Sequence, residues 1–385
     1  MTVSITSWHL DHAGTDLPIL SGGFTVDEIN VPAVSGTVVV PDTPGLLMQL
    51  DPRTSPPPRV QITGQRTYWA SMTVAEFSAA LTAAGLLTVA QVSTAWTGWT
   101  VADVSDAYGT PLSDQGADPT DTMSMSLHVR SVRRDVRGGT LAVSVASDEA
   151  LLTDWAPSRT SDLSALNELV AGQPVRVSTY VNAVLETVIG RRLTPGVYDT
   201  DVPSEVFPWT IDMTAWEMIR PFLDDTNTKL RVHPDGETWT LERPENQITA
   251  DGFHHFPAAE LLDGFEEYSR TGDWYDAVIL AAVNPVTGLD RTAGYPAGPH
   301  SRTYRERLPR DSRPNQSMAR NIHTRSIQRG RLAEVRIPIN VGVWMRDVFT
   351  YRTAAEPSPL PSWQVASVAY DITTDLMDIT GIQPY

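Results

Sequence analysis

The sequence contains no cysteine, and Lys229 is its only lysine. Without cysteine, the chain can form neither disulfide bonds nor thiolate metal sites. It also lacks any run of 18 apolar residues, and its N-terminal segment has no basic region followed by an apolar core. We therefore predict neither a membrane-spanning helix nor a secretory signal peptide. The chain has 385 residues, 41% of them apolar, which is enough for two or three globular domains.

Positive charge is scarce, since 29 basic residues face 46 acidic ones and the formal net charge is −17. Binding to the DNA backbone requires many Lys and Arg contacts, so this balance argues against a nucleic-acid-binding protein. It is compatible with a protein that lines a conduit for DNA, because DNA should not bind to the wall of such a conduit. The near-exclusive use of arginine has two interpretations, namely bidentate pairing with carboxylates at interfaces or a GC-rich coding genome.

Motifs of the common enzyme classes are also missing. There is no HExxH, no G-x-S-x-G, no Walker loop and no G-x-G-x-x-G after a strand. Four small groups of histidines and acids remain as candidates for a metal site or for glycoside cleavage. These groups are His254-His255 with Asp251, then His9, Asp11 and His12, then Asp224-Asp225, and finally Glu266-Glu267. Adjacent residues of an extended segment point in opposite directions, and no cleft can be inferred around the acid pairs. We therefore assign no catalytic, cofactor-binding or metal-binding residue.

A capped helix is predicted at the start of the stretch Ile211–Pro244. Thr214 and Glu217 have the S/T-x-x-E spacing of a capping box, in which each side chain satisfies the free backbone N–H of the other residue. An apolar stripe of helical period follows, made of Ala215, Met218, Ile219 and Phe222. Pro221 interrupts this pattern and removes one helical hydrogen bond, so we expect a kinked or short helix.

The period then changes to two, which predicts a β-hairpin. Leu230 and Val232 alternate with polar residues, the segment Pro234-Asp235-Gly236 turns the chain, and Trp239 and Leu241 return on the same face. The unit is therefore predicted to be a helix that packs its stripe onto a two-stranded ribbon, with the Trp239 ring in its core.

The run TAWEMIRPFLDDTNTKLRVHPDGETWTLERP resembles a segment of the minor tail proteins of phages that infect high-GC Gram-positive bacteria. Three flanking patterns resemble the same family. They are the opening strands punctuated by VD, Pro and PD, the ending ASDEALL, and the V-x-S-V-x-x-D of Val365 to Asp371. The family's usual helix has no proline at the place of Pro221. The resemblance covers most of the chain outside residues 66–118.

The order of strand-like and helix-like stretches predicts an α+β, mainly β chain of three domains. Residues 1–155 are predicted to form a first small β-barrel, with a partly helical insertion at 66–118 that contains a capping box and the pair Trp96 and Trp99. Residues 156–255 are predicted to form an α/β middle domain, and residues 256–385 a second β-barrel. Alternating short strands bounded by Gly, Pro and Asp are typical of such barrels.

Several finer predictions complete the pattern. Ser178 is placed as the N-cap of a helix that Gly190 ends. Residues 286–316, rich in Pro, Gly and Arg, are predicted to be a long loop of the kind that serves an interface or a function. Met318 to Leu332 is predicted to be a helix with a narrow apolar stripe. Four arginines between 130 and 137 have two interpretations, a phosphate site or a solvated strand edge that discourages edge pairing.

The resemblance implies a structural protein and no enzyme. Proteins of this family form the hub of a siphophage tail tip and are similar to the hub of contractile-tail baseplates. They are homotrimers, assembled in the host cytoplasm and incorporated into the virion. Their partners are the distal tail protein, the tape-measure protein and tip or fibre proteins, and DNA passes through without specific binding. Because the chain is acidic and a basic channel wall would hold DNA phosphates, we expect Arg302, Arg305, Arg307 and Arg310 to face neighbouring proteins and not the channel. The alternative is a tail-associated hydrolase that degrades the host envelope with one of the acid pairs.

Overall fold

The computed structural model shows a mainly β chain with a few short helices. Its described ranges contain 20 strands, together with the helices α1 (Leu46–Gln49), α2 (Glu149–Asp154), α3 (Val177–Ile189) and α4 (Ala215–Asp225). Within those ranges, no helix is both long enough and apolar enough to cross a membrane. The structure describes residues 3–27, 30–69, 120–157, 175–194, 199, 201–202, 211–225, 228–233, 235–242, 252–258, 260–268, 275–283, 290–295, 301–306, 316, 319–320, 323, 331–352 and 361–383.

Thirteen strands form one large sheet that draws on both ends of the chain. The N-terminal part supplies β1 (Val3–His12), β2 (Thr15–Pro18), β3 (Ser21–Asp27), β4 (Val34–Pro41), β5 (Arg59–Trp69), β6 (Thr120–Asp135) and β7 (Thr140–Ala146). The C-terminal part supplies β12 (Phe253–Phe256), β13 (Asp263–Tyr268), β17 (Arg331–Pro338), β18 (Val348–Tyr351), β19 (Trp363–Asp371) and β20 (Leu376–Ile382). The hydrogen-bonded order is β13-β17-β20-β19-β3-β4-β7-β6-β5-β1-β2, and β18 pairs with both β12 and β19.

Alternation of apolar and polar residues explains which face of each strand is buried. In β19, Trp363, Val365, Val368 and Tyr370 all point into the core. Residues 365 and 368 are three positions apart, whereas residues on one face of a regular strand are separated by an even number of positions. A bulge between Val365 and Ser367 supplies the extra residue that restores the inward phase. The bulge thus keeps the apolar side chains of β19 on the core face on both sides of it.

The two ends of the chain meet where β3 pairs with β19 in antiparallel register, with Phe24 opposite Tyr370. Trp8 lies edge-on to both rings, at centroid distances of 5.2 Å and 5.9 Å, while the Phe24 and Tyr370 rings stack at 4.6 Å. Buried residues of both sequence ends consequently belong to one hydrophobic cluster. We call this cluster the sheet core.

The predicted mainly β fold is confirmed, while the barrels stay a prediction. Among the described strands, the path from β13 to β2 is open, and no pairing joins its two ends. The N-terminal and C-terminal strands form two stretches of this path, connected through the β3–β19 pair. The boundaries at 155 and 255 remain predictions of domain organisation.

The predicted insertion lies between two paired strands. In the β5–β6 hairpin, Thr67 lies opposite Thr120, so the chain leaves the sheet and returns to it at adjacent positions. Because β5 continues to Trp69, residues 66–69 belong to the sheet and the insertion begins later than predicted. The predicted capping box and the Trp96 and Trp99 pair lie outside the described residues.

The helix and hairpin predicted at 211–244 are confirmed. The Glu217 N–H donates to Thr214 Oγ1 (3.2 Å), the Thr214 N–H donates to Glu217 Oε2 (2.8 Å), and α4 continues past Pro221 to Asp225. The hairpin consists of β10 (Lys229–Val232) and β11 (Trp239–Glu242). With α3, these elements enclose a second hydrophobic cluster around the fully buried Trp239, which we call the α/β core. A short ribbon of β8 (Val175–Arg176) and β9 (Asp201–Val202) lies at the start of α3.

The cap of α3 differs from the prediction. Arg176 is the N-cap residue, and Ser178 lies inside the first turn. Asp199, brought close by the β8–β9 ribbon, accepts hydrogen bonds from the Ser178 N–H (3.0 Å) and the Ser178 hydroxyl (2.7 Å). One free backbone donor of the first turn is therefore satisfied by a carboxylate that is distant in sequence. Gly190 ends the helix with φ 69°, as predicted.

Residues 286–316 are not a single long loop. They contain β15 (Asp290–Tyr295) and β16 (Ser301–Glu306), which flank β14 (Ala277–Val283) in a three-stranded sheet. The central strand carries the buried Val278 and Leu280, while the outer strands are rich in Gly, Thr and Arg and lack a clear apolar alternation. The predicted helix from Met318 is also too long, because Leu332 belongs to β17.

Candidate functional site

The histidine pair on β12 does not form a metal site in the described structure. His254 Nε2 lies 2.9 Å from Asp347 Oδ2, whereas His255, on the opposite face of the strand, pairs its Nδ1 with Thr350 Oγ1 at 2.9 Å. Asp251 lies outside the described residues. Each histidine therefore has a separate partner on or next to β18.

The second histidine group is likewise spread over the β1–β2 hairpin. His9 Nδ1 lies 3.2 Å from Asp16, and His12 Nδ1 lies 3.0 Å from the carbonyl oxygen of Arg59. Asp11 accepts the N–H of Gly14 in the turn. No group of three or more His, Asp or Glu suited to hold a metal ion occurs in the part of the chain that the structure describes.

The two acid pairs are not brought together. Glu266 accepts hydrogen bonds from the hydroxyls of Tyr268 and Tyr351, and Glu267 is exposed on the other face of β13. Asp224 and Asp225 form the last residues of α4, as expected for a helix end. Glu266 and Glu267 therefore do not face each other across a cleft, as the carboxylates of glycoside cleavage do.

The strongest polar cluster lies where the sheet meets the α/β unit. Asp148 is fully buried at the N-terminus of α2, and its Oδ2 accepts a hydrogen bond from Arg59 Nη2 at 2.5 Å. His128 is also buried, with Nε2 3.2 Å from Asp148 Oδ1 and Nδ1 3.2 Å from the Pro57 carbonyl oxygen. A buried carboxylate needs such partners, because burial of an unpaired charge costs on the order of several kcal/mol.

Arg59 also connects the cluster to the hairpin. Its Nη1 donates to Ser126 Oγ at 2.9 Å and approaches the carbonyl oxygen of Gly236 at 3.5 Å, in the turn between β10 and β11. Gly236 has φ 67°, and a side chain at this position would meet the Arg59 guanidinium and the Ser126 backbone within 3 Å. Glycine is therefore required both by the turn and by the close approach to the sheet.

A second contact joins the same two units. Glu242, at the end of β11, forms an ion pair with Arg346 of the turn that precedes β18, and it lies 3.7 Å from Arg231. The side chains of both arginines are only 14% exposed, so solvent screens these charges less than at the surface. The hairpin is thus held to the sheet at two places, by the approach of Arg59 to the Gly236 carbonyl oxygen and by the Glu242–Arg346 ion pair.

Between these contacts lies a cavity of about 430 Å³, which we call the junction cavity. Its walls come from β3, β4 and β6 of the sheet, from the start of α2, and from α4, β10 and the hairpin turn. The side chains used below are Asp27, Glu149, Trp216, Arg220, Lys229 and Trp344. Burial raises the pKa of Glu149 to about 7, with Ser147, the Glu149 N–H and Lys229 opposing and Asp148 adding to the rise.

Sequence reasoning placed Asp148 and Glu149 only within the ASDEALL pattern and missed this site. Two adjacent acids directly after an apolar strand, together with the only lysine of the chain in the hairpin, were the available signals. Neither signal shows that residues 59, 148 and 236 meet.

Two arginines of β6, Arg130 and Arg134, are engaged within the chain. Arg130 makes a bidentate pair with Asp154, and Arg134 Nε lies 2.5 Å from Asp42. Residues after Arg130 pair only with β7 among the described strands, so this half of β6 is an edge. The solvated-edge interpretation fits these contacts better than a phosphate site.

Of the four arginines expected at an interface, Arg302 has a described side chain. Its guanidinium donates to the Tyr275 hydroxyl and lies 5.1 Å from the centre of that ring. Arg305 belongs to β16, while Arg307 and Arg310 lie outside the described residues.

One end of the sheet exposes apolar side chains. β13 is the terminal strand of the path, and Phe265 and Tyr268 are 52% and 62% exposed, with Leu262 just before the strand at 57%. An unpaired edge with apolar side chains is a surface on which another chain can pack. This edge is therefore a candidate for contacts with another chain.

No protein-family model matches the chain, and no curated protein matches it in sequence. Solved structures do match its fold. A tail protein from Neisseria meningitidis MC58 gives a TM-score of 0.56 at 9% identity, over 98% of this chain and 96% of that chain. The 43 kDa tail protein of prophage MuSo2 from Shewanella oneidensis gives 0.51 at 10% identity, over 99% and 97%.

A chain of the Francisella PdpA–VgrG complex also matches, with a TM-score of 0.51 at 7% identity over 99% of this chain and 58% of that chain. At identities this low, the similarity concerns the fold. The chain thus has the fold of these two tail proteins over nearly its whole length.

Proposed function

We propose that this protein is a structural component of a phage tail tip, a homotrimeric baseplate hub of a siphophage. In this role it joins the tail tube and the distal tail protein to tip or fibre proteins, contacts the tape-measure protein, and surrounds the path of the DNA. The observation that carries the proposal is the fold match to two tail proteins, which spans both partners almost end to end. The sequence resemblance to minor tail proteins of high-GC Gram-positive phages points to the same class.

Trimeric symmetry suits the two β regions of the chain. If residues 1–155 and 256–385 each form a barrel, three subunits carry six similar barrels. Such a ring closes by rotation and presents six near-equivalent units to a six-fold tail tube. The apolar edge at β13 supports this proposal, because a ring of identical subunits needs complementary surfaces at its two sides.

The charge of the chain suits a conduit for DNA. At −17 per chain, the ring wall is expected to be acidic or neutral, and salt screens its repulsion of DNA beyond about 8 Å. A basic wall would bind phosphates and hold the duplex in place. The pairing of Arg130, Arg134 and Arg302 with groups of the same chain agrees with this proposal.

Imaging the protein in a tail, or measuring the mass of the purified protein, tests the proposal. Three-fold symmetry, with arginines 302, 305, 307 and 310 facing neighbouring proteins, is the expected result. A monomer or a six-fold ring would contradict the trimer, and arginines lining the bore would contradict the conduit argument.

A zymogram on host cell wall addresses catalysis. The proposal expects no cleared zone. Clearing would show that a structural role is an incomplete account and would favour the hydrolase alternative.

A further inference from the structure

The junction cavity has the size of a ligand site and lies between two independent hydrophobic cores. Its volume of about 430 Å³ falls in the range of about 300–1,000 Å³ that is typical of small-ligand pockets. Its walls combine apolar side chains of the sheet, such as Val26 and Met345, with polar groups of α2 and β10. A bound group would therefore touch both units at once.

Glu149 is the polar group of this wall that, within the described part of the chain, lacks a hydrogen bond at one of its oxygens. Its residue is only 4% exposed, and its Oε2 atom has no hydrogen-bond partner among the described residues. The other acid of the wall, Asp27, accepts the side-chain amide of Asn30 at 2.7 Å. A buried carboxylate with an unpaired oxygen is unfavourable, so the cavity favours a ligand that donates hydrogen bonds to Glu149.

The walls beside Glu149 suit an alkyl chain that ends in a positive charge. Trp216 and Trp344 both line the cavity, and the faces of indole rings attract cations and pack against methylene groups. Among the positive side chains of the wall, Arg231 lies 3.7 Å from Glu242, and the charge of Lys229 acts on Glu149. Glu149 Oε2 still has no hydrogen-bond donor among the described residues, so this oxygen is the acceptor left for an incoming cation.

We propose that the junction cavity binds a single lysine or arginine side chain of a neighbouring tail protein, with the Glu149 carboxylate as its ion partner. The source of this side chain rests on the proposed function, whereas the chemistry of the site does not. Docking of one cationic residue here would connect the partner to the sheet and to the α/β unit together.

Binding of a cation to Glu149 must be linked to pH. Because burial raises the pKa of Glu149 to about 7, the carboxyl is largely protonated below this pH and has to lose its proton to pair with a cation. The dissociation constant should therefore rise about tenfold for each pH unit below 7 and level off above it. The charged and titratable groups around Glu149 are Asp27, Asp148, Arg220, Lys229, Arg231 and His233.

Calorimetric titration of the full chain between pH 5.5 and 8.5 tests the proposal. The probes are acetyl-Gly-Arg-Gly-amide, the same peptide with norleucine in place of arginine, and free spermidine. We expect the arginine peptide to bind with the stated pH dependence and the norleucine peptide to bind at least tenfold more weakly. Glu149→Gln should weaken arginine-peptide binding at least tenfold and abolish its pH dependence, while the exposed Glu267→Gln should change neither.

Several results would overturn the proposal. They are equal binding of the arginine and norleucine peptides, unchanged pH dependence in Glu149→Gln, and absence of arginine-peptide binding at every pH. Preferential binding of spermidine would also overturn it, because the ligand of the cavity would then be a free polyamine and not a side chain of a partner protein. None of these results bears on the symmetry of the hub, so a failure here is distinguishable from a failure of the proposed function.

Discussion

The two cores of this protein are assembled from very different distances along the chain. The α/β core collects residues from Leu152 to Leu241, and its helix and hairpin are consecutive in sequence. The sheet core joins both ends: the N–H of Gly22 donates to the hydroxyl of Thr373, 351 positions away. Contacts of high sequence separation require closure of a long loop before they stabilise anything. We therefore expect the α/β unit to form early and the sheet to form only when both ends of the chain meet.

The largest expected effect comes from comparing one tryptophan of each core. Trp239 and Trp363 are both fully buried, and replacement of either by alanine should cost about 3–5 kcal/mol of unfolding free energy. Trp239→Ala should remove hydrogen-exchange protection mainly from α3, α4 and the hairpin, whereas Trp363→Ala should affect strands from both ends of the chain. Urea unfolding combined with hydrogen exchange measures both effects.

The comparison of cores fails if both variants lose protection over the same residues. In that case the two cores unfold as one cooperative unit. If Trp239→Ala instead unfolds at the wild-type urea concentration and assembles normally, the indole ring of Trp239 contributes little to the stability of the α/β core.

Disruption of the contact between the sheet and the α/β unit should lower the unfolding free energy nearly as much. Arg59→Met removes the arginine partner of the fully buried Asp148 and leaves it with His128, and removal of one partner of a buried ion pair typically destabilises by about 3–5 kcal/mol. The matched control is Arg53→Met, whose ion pair with Asp51 lies at the surface and should contribute little. Thermal unfolding of both variants compares the two pairs, and equal melting temperatures would contradict a structural role for the Arg59–Asp148 pair.

A pH-dependent stability of intermediate size is expected from Glu149. Its pKa of about 7 lies above its ordinary value of 4.5, so the folded chain keeps a proton that the unfolded chain releases. The resulting stabilisation is complete below pH 4.5 and is lost as the pH rises through 7, a change of about 3 kcal/mol at about 1.4 kcal/mol per pKa unit.

Glu149→Gln has no proton to release and should lack this dependence. Urea unfolding at pH 5 and pH 8 is the measurement, with Glu267→Gln as the exposed control. An unchanged difference between the two pH values in Glu149→Gln would assign the effect to another group.

The smallest expected effect distinguishes two caps of α3. Asp199→Ala removes both hydrogen bonds to Ser178 and should cost about 1 kcal/mol, as loss of an N-terminal cap does. Ser178→Ala keeps the backbone N–H bond and should cost less. The opposite order of unfolding midpoints would restore Ser178 as the main cap.

Local pattern predicted the elements of the α/β core well. Thr214 and Glu217 form the expected capping box, and the four residues of the predicted stripe are buried. The alternation through Leu230 and Trp239 also gave the hairpin and its inward face. These features were predictable because helix and strand periods and cap chemistry act between residues that are close in sequence.

The same reasoning failed where stability comes from elsewhere in the chain. β15 and β16 lack a clear apolar alternation, and they are strands because β14 supplies hydrogen-bonding edges on both of its sides. The cap of α3 comes from Asp199, which only the β8–β9 ribbon brings close. Propensity is a weak guide in such places, because tertiary context overrides it.

By itself, the sequence determined a cysteine-free, acidic and mainly β chain, with one locally encoded α/β unit and no motif of a common enzyme class. Only the tertiary structure decided that β3 pairs with β19 and that Arg59, Asp148 and Gly236 meet at one junction. It also decided that Glu149 is buried beside a cavity. The physical reason is that periodicity records which face of an element is apolar, whereas the partner of that face, and the burial of a charge between two units, depend on contacts between residues far apart in the chain.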